Sequence, residues 1–205
     1  MSGVDDAVAA VVAGKPVILP TDTVYGLCAD AYRESPVERL ARLKGRPDGM
    51  PVALLTASVD GLVDCIPELL GRSLVLARAI LPGPYTLIFP NPARRFRWLA
   101  SARPDTIGVR VPVLPAEART VVQRLGAVAA TSANLHGRPD PRRVEEIPEE
   151  LRAAAAAVVD VGELPGTPST VLDLTGAEPV VVREGAVPAD EALRRIAESR
   201  PQAPA

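Results

Sequence analysis

The sequence predicts one α/β (α+β) domain built on a mixed β-sheet. Helical and extended patterns intermix along the chain, with no internal repeat and no linker to divide it. Several strand patterns follow one another without an intervening helix, which a purely parallel, doubly wound sheet does not allow. At 205 residues and 47% hydrophobic, the chain can bury one substantial core, and with only 3% aromatics that core must be Val, Leu, Ala and Ile. The domain is read as residues 1–199, with "RPQAPA" (200–205) as a frayed tail.

The elements follow in order. Ser2 to Ala13 has the apolar spacing of an amphipathic helix, stopped by Gly14. Val17, Ile18 and Leu19 form a short buried strand that breaks into Pro20, Thr21, Asp22 and Thr23. "SPVERLARLKG" reads as a helix with Ser35 at the N-cap, Pro36 at the first helical position, Glu38 closing a capping box and Gly45 past its end. A continuous apolar strand is expected at 51–58, a helix over 59–80, and a strand in "LPGPYTLIFP" after a Pro-Gly-Pro turn. "TIGVRVP" (106–112) is a strand carrying an arginine, and "PAEARTVVQRLG" is a helix from Pro115 to Gly126. "AVAATSAN" (127–134) is a strand that ends in polar residues. A Pro- and Arg-rich loop follows, then a helix near 148–156, strands at 158–161, 169–174 and 179–183, and a last helix over 189–198.

Bulk properties exclude several classes. A formal net charge of −2 gives the whole surface no general attraction for nucleic acid. Cys28 and Cys65 form neither a CxxC pair nor a disulfide framework, which fits a reducing cytosol. "MSGVDDAVAAVVAGK" opens acidic, without the basic start of a signal peptide, and no apolar run approaches the ~20 residues that span a bilayer. A soluble cytoplasmic protein is expected, with no membrane partner. Neither GxxxxGK[ST] nor GxGxxG occurs, so a P-loop or Rossmann site has no support. The single histidine, His136, sits in a loop and reads as solvated, leaving no His-based triad or zinc site.

What remains is polar punctuation at element ends. Lys44 and Arg46 in "KGRP" flank a glycine at a helix C-terminus, where cations also complement the helix dipole. Arg110 lies inside an apolar strand and must meet either an internal carboxylate or a bound anion. Thr131, Ser132 and Asn134 end a buried strand, Ser169 and Thr170 head another, and Arg183 closes a third. None is a nucleophile or base of the usual kind. Such a set grips anions and aligns substrates that react with each other, as in phosphoryl and nucleotidyl transfer.

Seven of these segments, in this order, resemble the YrdC/Sua5 family, the threonylcarbamoyl-AMP synthases. They are "PTDTVYGL" (20–27), "KGRP" (44–47), "PGPYTLIF" (82–89), "TIGVRVP" (106–112), "TSANLHGRPDP" (131–141), "PSTVLDL" (168–174) and "VVREG" (181–185). The resemblance implies a YrdC-like fold, a twisted mixed sheet flanked by helices around a central substrate cavity, in the short bacterial form. It implies synthesis of threonylcarbamoyl-AMP from L-threonine, bicarbonate and ATP, with Mg²⁺ carried by the ATP and pyrophosphate released. The product would serve N6-threonylcarbamoylation of adenosine 37 in tRNAs reading ANN codons, through a downstream transferase complex. By resemblance, Lys44 and Arg46 are catalytic cations facing the ATP phosphates and the bicarbonate-derived group. Thr23, Arg110 and Ser169 would contact threonine. Arg46, Met50, Thr106, Ala130, Ser132, Asn134, Asp140 and Arg183 would line the ATP site, and no protein metal ligand is implied. Three residues depart from the family pattern: Cys28 where glycine is usual, Met50 where a polar residue is common, and Leu55 where some relatives place histidine.

Two rivals differ in kind. A carbamoyl-adenylate-forming relative would sit in a longer chain with zinc fingers, which two isolated cysteines do not supply. A double-stranded RNA or tRNA-binding module could use "ARRFRWLASAR" (93–103) and "GRPDPRR" (137–143), with Phe96 and Trp98 for stacking. The plainer reading of those stretches is a solvated arginine-rich surface with Trp98 in the core.

Overall fold

The computed structural model describes residues 3–45, 50–100 and 102–199. The first helix, α1 (Val4–Val12), starts where the Asp6 carboxylate accepts the Gly3 N–H, and ends at Gly14 with φ +74°. Strand β1 (Val17–Pro20) is buried along its length and turns back through Thr21–Val24 into β2 (Tyr25–Asp30), pairing antiparallel from Pro20 opposite Tyr25 to Val17 opposite Cys28.

Helix α2 (Glu34–Leu43) begins two residues earlier than the sequence suggests. Its N-cap is Arg33, with no side-chain capping bond, so the expected Ser35 cap and Glu38 box are absent. Asp30 sets the start instead. Its carboxylate accepts the Tyr32 N–H at 2.8 Å and Arg33 Nε at 2.6 Å, fixing the turn into the helix. Pro36 then falls within the first turn, where the N–H it lacks would have no helical partner.

β3 (Ala53–Thr56) is shorter than expected. The helix expected over 59–80 is two: α3 (Val59–Cys65), capped by Ser58 Oγ accepting the Gly61 N–H, and α4 (Gly71–Ile80). Pro67 causes the break, because the residue before a proline is pushed out of the helical region, and Ile66 sits at φ −131°, ψ 76°. After β4 (Tyr85–Pro90) comes a four-residue helix not foreseen, α5 (Arg97–Ala100). The rest is β5 (Thr106–Arg110), α6 (Ala116–Leu125), β6 (Ala127–Ser132), α7 (Glu149–Ala154), β7 (Ala157–Val158), β8 (Thr170–Asp173), β9 (Val180–Arg183) and α8 (Ala189–Glu198). The tail expected at 200–205 lies outside the described residues.

Among the described residues the strands form one sheet of nine, in the order β7-β1-β2-β6-β3-β5-β4-β8-β9. It is mixed: β1–β7, β3–β5 and β4–β8 run parallel, and the other neighbours are antiparallel. Period-two alternation sorts its side chains between two faces. Ile18, Leu27, Leu54, Leu87, Ile107, Val109 and Leu172 point into the larger core, which α2, α4, α5, α7 and α8 cover. Val17, Leu19, Cys28, Leu55, Val128 and Ala130 point the other way, under α1 and α6.

That second layer is only half a layer. Helices α1 and α6 pack on each other over β1, β2, β3 and β6, while among the described residues no helix covers the same face of β4, β5, β8 and β9. The open half of the face is where a ligand has room.

One glycine controls how β8 and β9 meet. A Cβ built on Gly185 would lie 2.2 Å from the Pro168 oxygen and 2.6 Å from the Ser169 carbonyl carbon, backbone atoms that cannot step aside. Gly185→Ala should cost about 1–3 kcal/mol in a denaturant titration. Gly176→Ala, where the nearest atom is 3.6 Å away, should change stability by no more than about 0.5 kcal/mol.

Candidate active site

The uncovered half-face forms the wall of a cavity of about 450 Å³. Strand alternation supplies that wall: Thr106, Gly108 and Arg110 from β5, Thr86 and Ile88 from β4, and Val171 from β8. Their neighbours Ile107, Val109, Leu87 and Leu172 are buried in the opposite core. An arginine at the end of β5 is therefore delivered to the cavity by the same pattern that makes β5 a core strand.

The β1–β2 turn supplies the partners of Arg110. Thr21 Oγ1 donates to the Val24 carbonyl at 2.7 Å and accepts the N–H groups of Thr23 and Val24 at 3.2 and 3.3 Å, locking the turn. With that proton committed, the 2.9 Å contact between the two threonine hydroxyls is donated by Thr23. Thr23 Oγ1 then accepts Arg110 Nη2 at 3.1 Å. Asp22 reaches across as well: Oδ1 accepts the same Nη2 at 3.1 Å, and Oδ2 accepts the Val113 N–H at 3.1 Å. Both charged side chains are 12% exposed. Burial pushes the Asp22 carboxyl up and the Arg110 guanidinium down, and the attraction between them opposes both shifts. Arg110 Nε is buried with no hydrogen-bond partner. The guanidinium is held at Nη2 while its buried Nε has no partner, which in a low-dielectric wall favours an anionic guest.

Two further polar nodes border the cavity. Ser169 Oγ meets Thr86 Oγ1 at 2.8 Å, and Arg183 Nη2 donates to the Ser169 carbonyl at 2.7 Å. The Arg183 charge lowers the Arg110 guanidinium further, as two cations facing one cavity must. On the far side, Lys44 is 2% exposed, and its Nζ donates to the Ser132 carbonyl and, at 2.8 Å, to Asn134 Oδ1. Ser132 Oγ donates to the same Asn134 oxygen at 2.7 Å.

Of the residues expected at the site, Met50, Thr106, Arg110 and Ala130 line the cavity, as do Ser132, Asp140, Ser169 and Arg183. Thr23, Lys44 and Asn134 stand behind the wall, each hydrogen-bonded to a residue that lines it. Arg46 lies outside the described residues. Of the three departures, Cys28 and Leu55 are buried in the core under α1 and α6, beside the cavity, and only Met50 lines it.

Sequence reasoning passed over Asp22 and Thr86. Asp22 had a legible signal, a carboxylate between two threonines at the end of a core strand. Thr86 had only its place in the period-two pattern of β4. The partner of Arg110, left open between an internal carboxylate and an anion, is internal, with donor capacity to spare. His136 is exposed in its loop, and Trp98 is half-buried against the larger core, its Nε1 donating to the Ala31 carbonyl at 2.9 Å.

A family model described as telomere recombination, covering Sua5, YciO and YrdC, matches residues 9–185. The chain belongs to this family. A threonylcarbamoyl-AMP synthase of Pyrococcus abyssi is 35% identical over 188 residues, 91% of this chain and 55% of the relative. The chain thus spans little more than half of that protein. A threonylcarbamoyl-AMP synthase of Xanthomonas oryzae pv. oryzae is 35% identical over 161 residues, 76% of this chain and 84% of its own length. Among solved structures, P. abyssi Sua5 in complex with L-threonine superposes with a TM-score of 0.81 at 33% identity, over 95% of this chain and 57% of that one. E. coli YciO gives 0.80 at 30% identity, over 93% and 92% of the two chains. The YrdC-like fold is shared.

Burial raises the Cys28 thiol to about 12. At pH 8 only about one thiol in ten thousand is then ionised, and reagents attack the thiolate. Ellman's reagent should modify at most one cysteine per native chain, Cys65, and two after denaturation.

Proposed function

We propose that the cavity joins L-threonine, bicarbonate and ATP into threonylcarbamoyl-AMP, releasing pyrophosphate. The observation that carries this is Arg110, a guanidinium fixed by Asp22 and Thr23 yet short of partners at the cavity floor. It suits a small carboxylate, and L-threonine occupies the related Sua5 structure. Synthases at about 35% identity point the same way. The Xanthomonas relative is covered over most of its length, so a second domain is not needed to explain the likeness.

In this reading Arg110 grips the threonine carboxylate and Ser169 adds a contact. The free amine attacks bicarbonate, water leaves, and N-carboxythreonine forms. Its new carboxylate attacks the ATP α-phosphorus, and pyrophosphate departs with the Mg²⁺ that ATP brought. Arg183, Thr106, Ser132 and Asn134 would hold the nucleotide, and Lys44 and Arg46 would offset charge on the transferring groups. Among the described residues no cluster of three or more His, Cys, Asp or Glu side chains could hold a metal. The protein supplies alignment and charge, and the substrates supply nucleophile and leaving group.

The product is a labile mixed anhydride. The partner implied is a transferase that moves the threonylcarbamoyl group to a tRNA adenosine in the cytosol. Among the described residues no helix is long and apolar enough to cross a membrane.

Purified protein with ATP and Mg²⁺ should release pyrophosphate only when both L-threonine and bicarbonate are present. Release that ignores threonine would sink the proposal. Arg110→Lys keeps the charge but loses the planar fork, and should raise KM for threonine by about tenfold or more while KM for ATP moves little. Asp22→Asn should also raise KM for threonine, because Arg110 loses its charged anchor.

A further inference from the structure

Outside the active site, the chain gathers half of its aromatic residues at one place. It has three Tyr, two Phe and one Trp, and of these Tyr32, Phe96 and Trp98 line a second cavity of about 660 Å³. The Tyr32 and Phe96 ring centroids are 5.5 Å apart with planes tilted by 60°, and Phe96 meets Trp98 edge-on at 6.4 Å and 81°. Tyr32 is 48% exposed, so the cluster is open to solvent.

The loop that presents Phe96 is built with care. Arg94 and Phe96 both take positive φ, 50° and 49°, and among the described residues no other non-glycine residue does. That region disfavours a bulky side chain, and such strain concentrates at binding loops. Buried Asn91 holds the loop in place: its Nδ2 donates to the Arg95 carbonyl at 2.8 Å, and its Oδ1 accepts the Arg95 N–H at 3.0 Å. Trp98 is pinned by its bond to Ala31.

The charges around this cavity favour a cation. Arg95 lies on its wall, but both carboxylate oxygens of Glu68 already hold its guanidinium, at 2.6 and 2.8 Å. Asp60 is paired with Arg78 at 2.8 Å. Asp64, exposed on the same wall, has no ion-pair partner among the described residues. The C-terminal end of α6 also opens here, through Gln123 and Gly126, adding the negative pole of a helix dipole. Aromatic faces, a spare carboxylate and a helix C-terminus all attract positive charge.

We infer that this cavity binds an organic cation, an ammonium or guanidinium group held against the cluster of Tyr32, Phe96 and Trp98 with its charge on Asp64. The group belongs either to a small metabolite or to a side chain of a docked protein, and the recognition chemistry is the same.

Trp98 is the sole tryptophan, so its emission reports occupancy directly. The probes are choline against its neutral isostere 3,3-dimethylbutanol, and an acetylated Gly-Arg-Gly amide against the same peptide with citrulline. The expected result is a saturable change with at least one charged probe and binding about fivefold weaker or less for its neutral partner. Asp64→Asn should weaken the charged probe by a similar factor while the melting temperature stays put, and Phe96→Leu should weaken it again. Arg110→Ala should leave it unchanged. Tighter binding of the peptide would assign the site to a protein side chain, and tighter binding of choline to a small cation. Equal response to charged and neutral probes, or an Asp64→Asn variant that binds as well as the parent, would overturn the inference.

Discussion

The buried pair of Arg110 and Asp22 ties sheet and site together. Arg110 ends a strand whose alternate residues are in the core, so its position is set by hydrophobic burial and not by charge. Asp22 arrives from the β1–β2 turn, across β6 and β3 in the sheet order, and closes onto both Arg110 and the Val113 N–H. Burying two charges costs several kcal/mol per ion unless each finds partners. The pair meets part of that cost, and Thr23 meets more. What stays unmet is donor capacity on Arg110, and a carboxylate guest would supply it.

The cavity exists because one face of the sheet is half covered. Leu19, Cys28, Leu55 and Val128 seal one half under α1 and α6 with buried apolar side chains. On the other half the equivalent positions are Thr86, Gly108 and Arg110, and the same alternation yields a polar wall. Sequence positions that look like defects in a core strand are the lining of the site. Gly185 matters for the same reason, since it lets the chain after β9 lie against Ser169 at the edge of that wall.

Much of this was legible in the residues. Apolar runs locate β1, β5 and β6, and their polar ends lie at the cavity. β2 was not legible, because Gly26, Cys28 and Ala29 are small and carry none of the β-branched signal of a strand. It is a strand because β1 and β6 flank it and pair with it on both sides. The start of α2 misled because Ser35 and Glu38 match a capping box, whereas Asp30, five residues upstream of Ser35, fixes the turn through side-chain bonds that no spacing rule contains. The cluster of Tyr32, Phe96 and Trp98 joins residues more than sixty positions apart, so only the fold could bring it together.

The role of Arg110 as the grip on the amino-acid carboxylate is most directly tested by calorimetric binding of L-threonine against L-threoninol, which keeps the amine and side chain and loses the carboxylate. Losing a charge-assisted hydrogen bond of ~1.5–3 kcal/mol corresponds to binding about ten- to a hundredfold weaker, and that is the result expected for threoninol. Equal affinity for the two ligands would mean that Arg110 serves the fold alone and that the cavity reads some other part of its substrate.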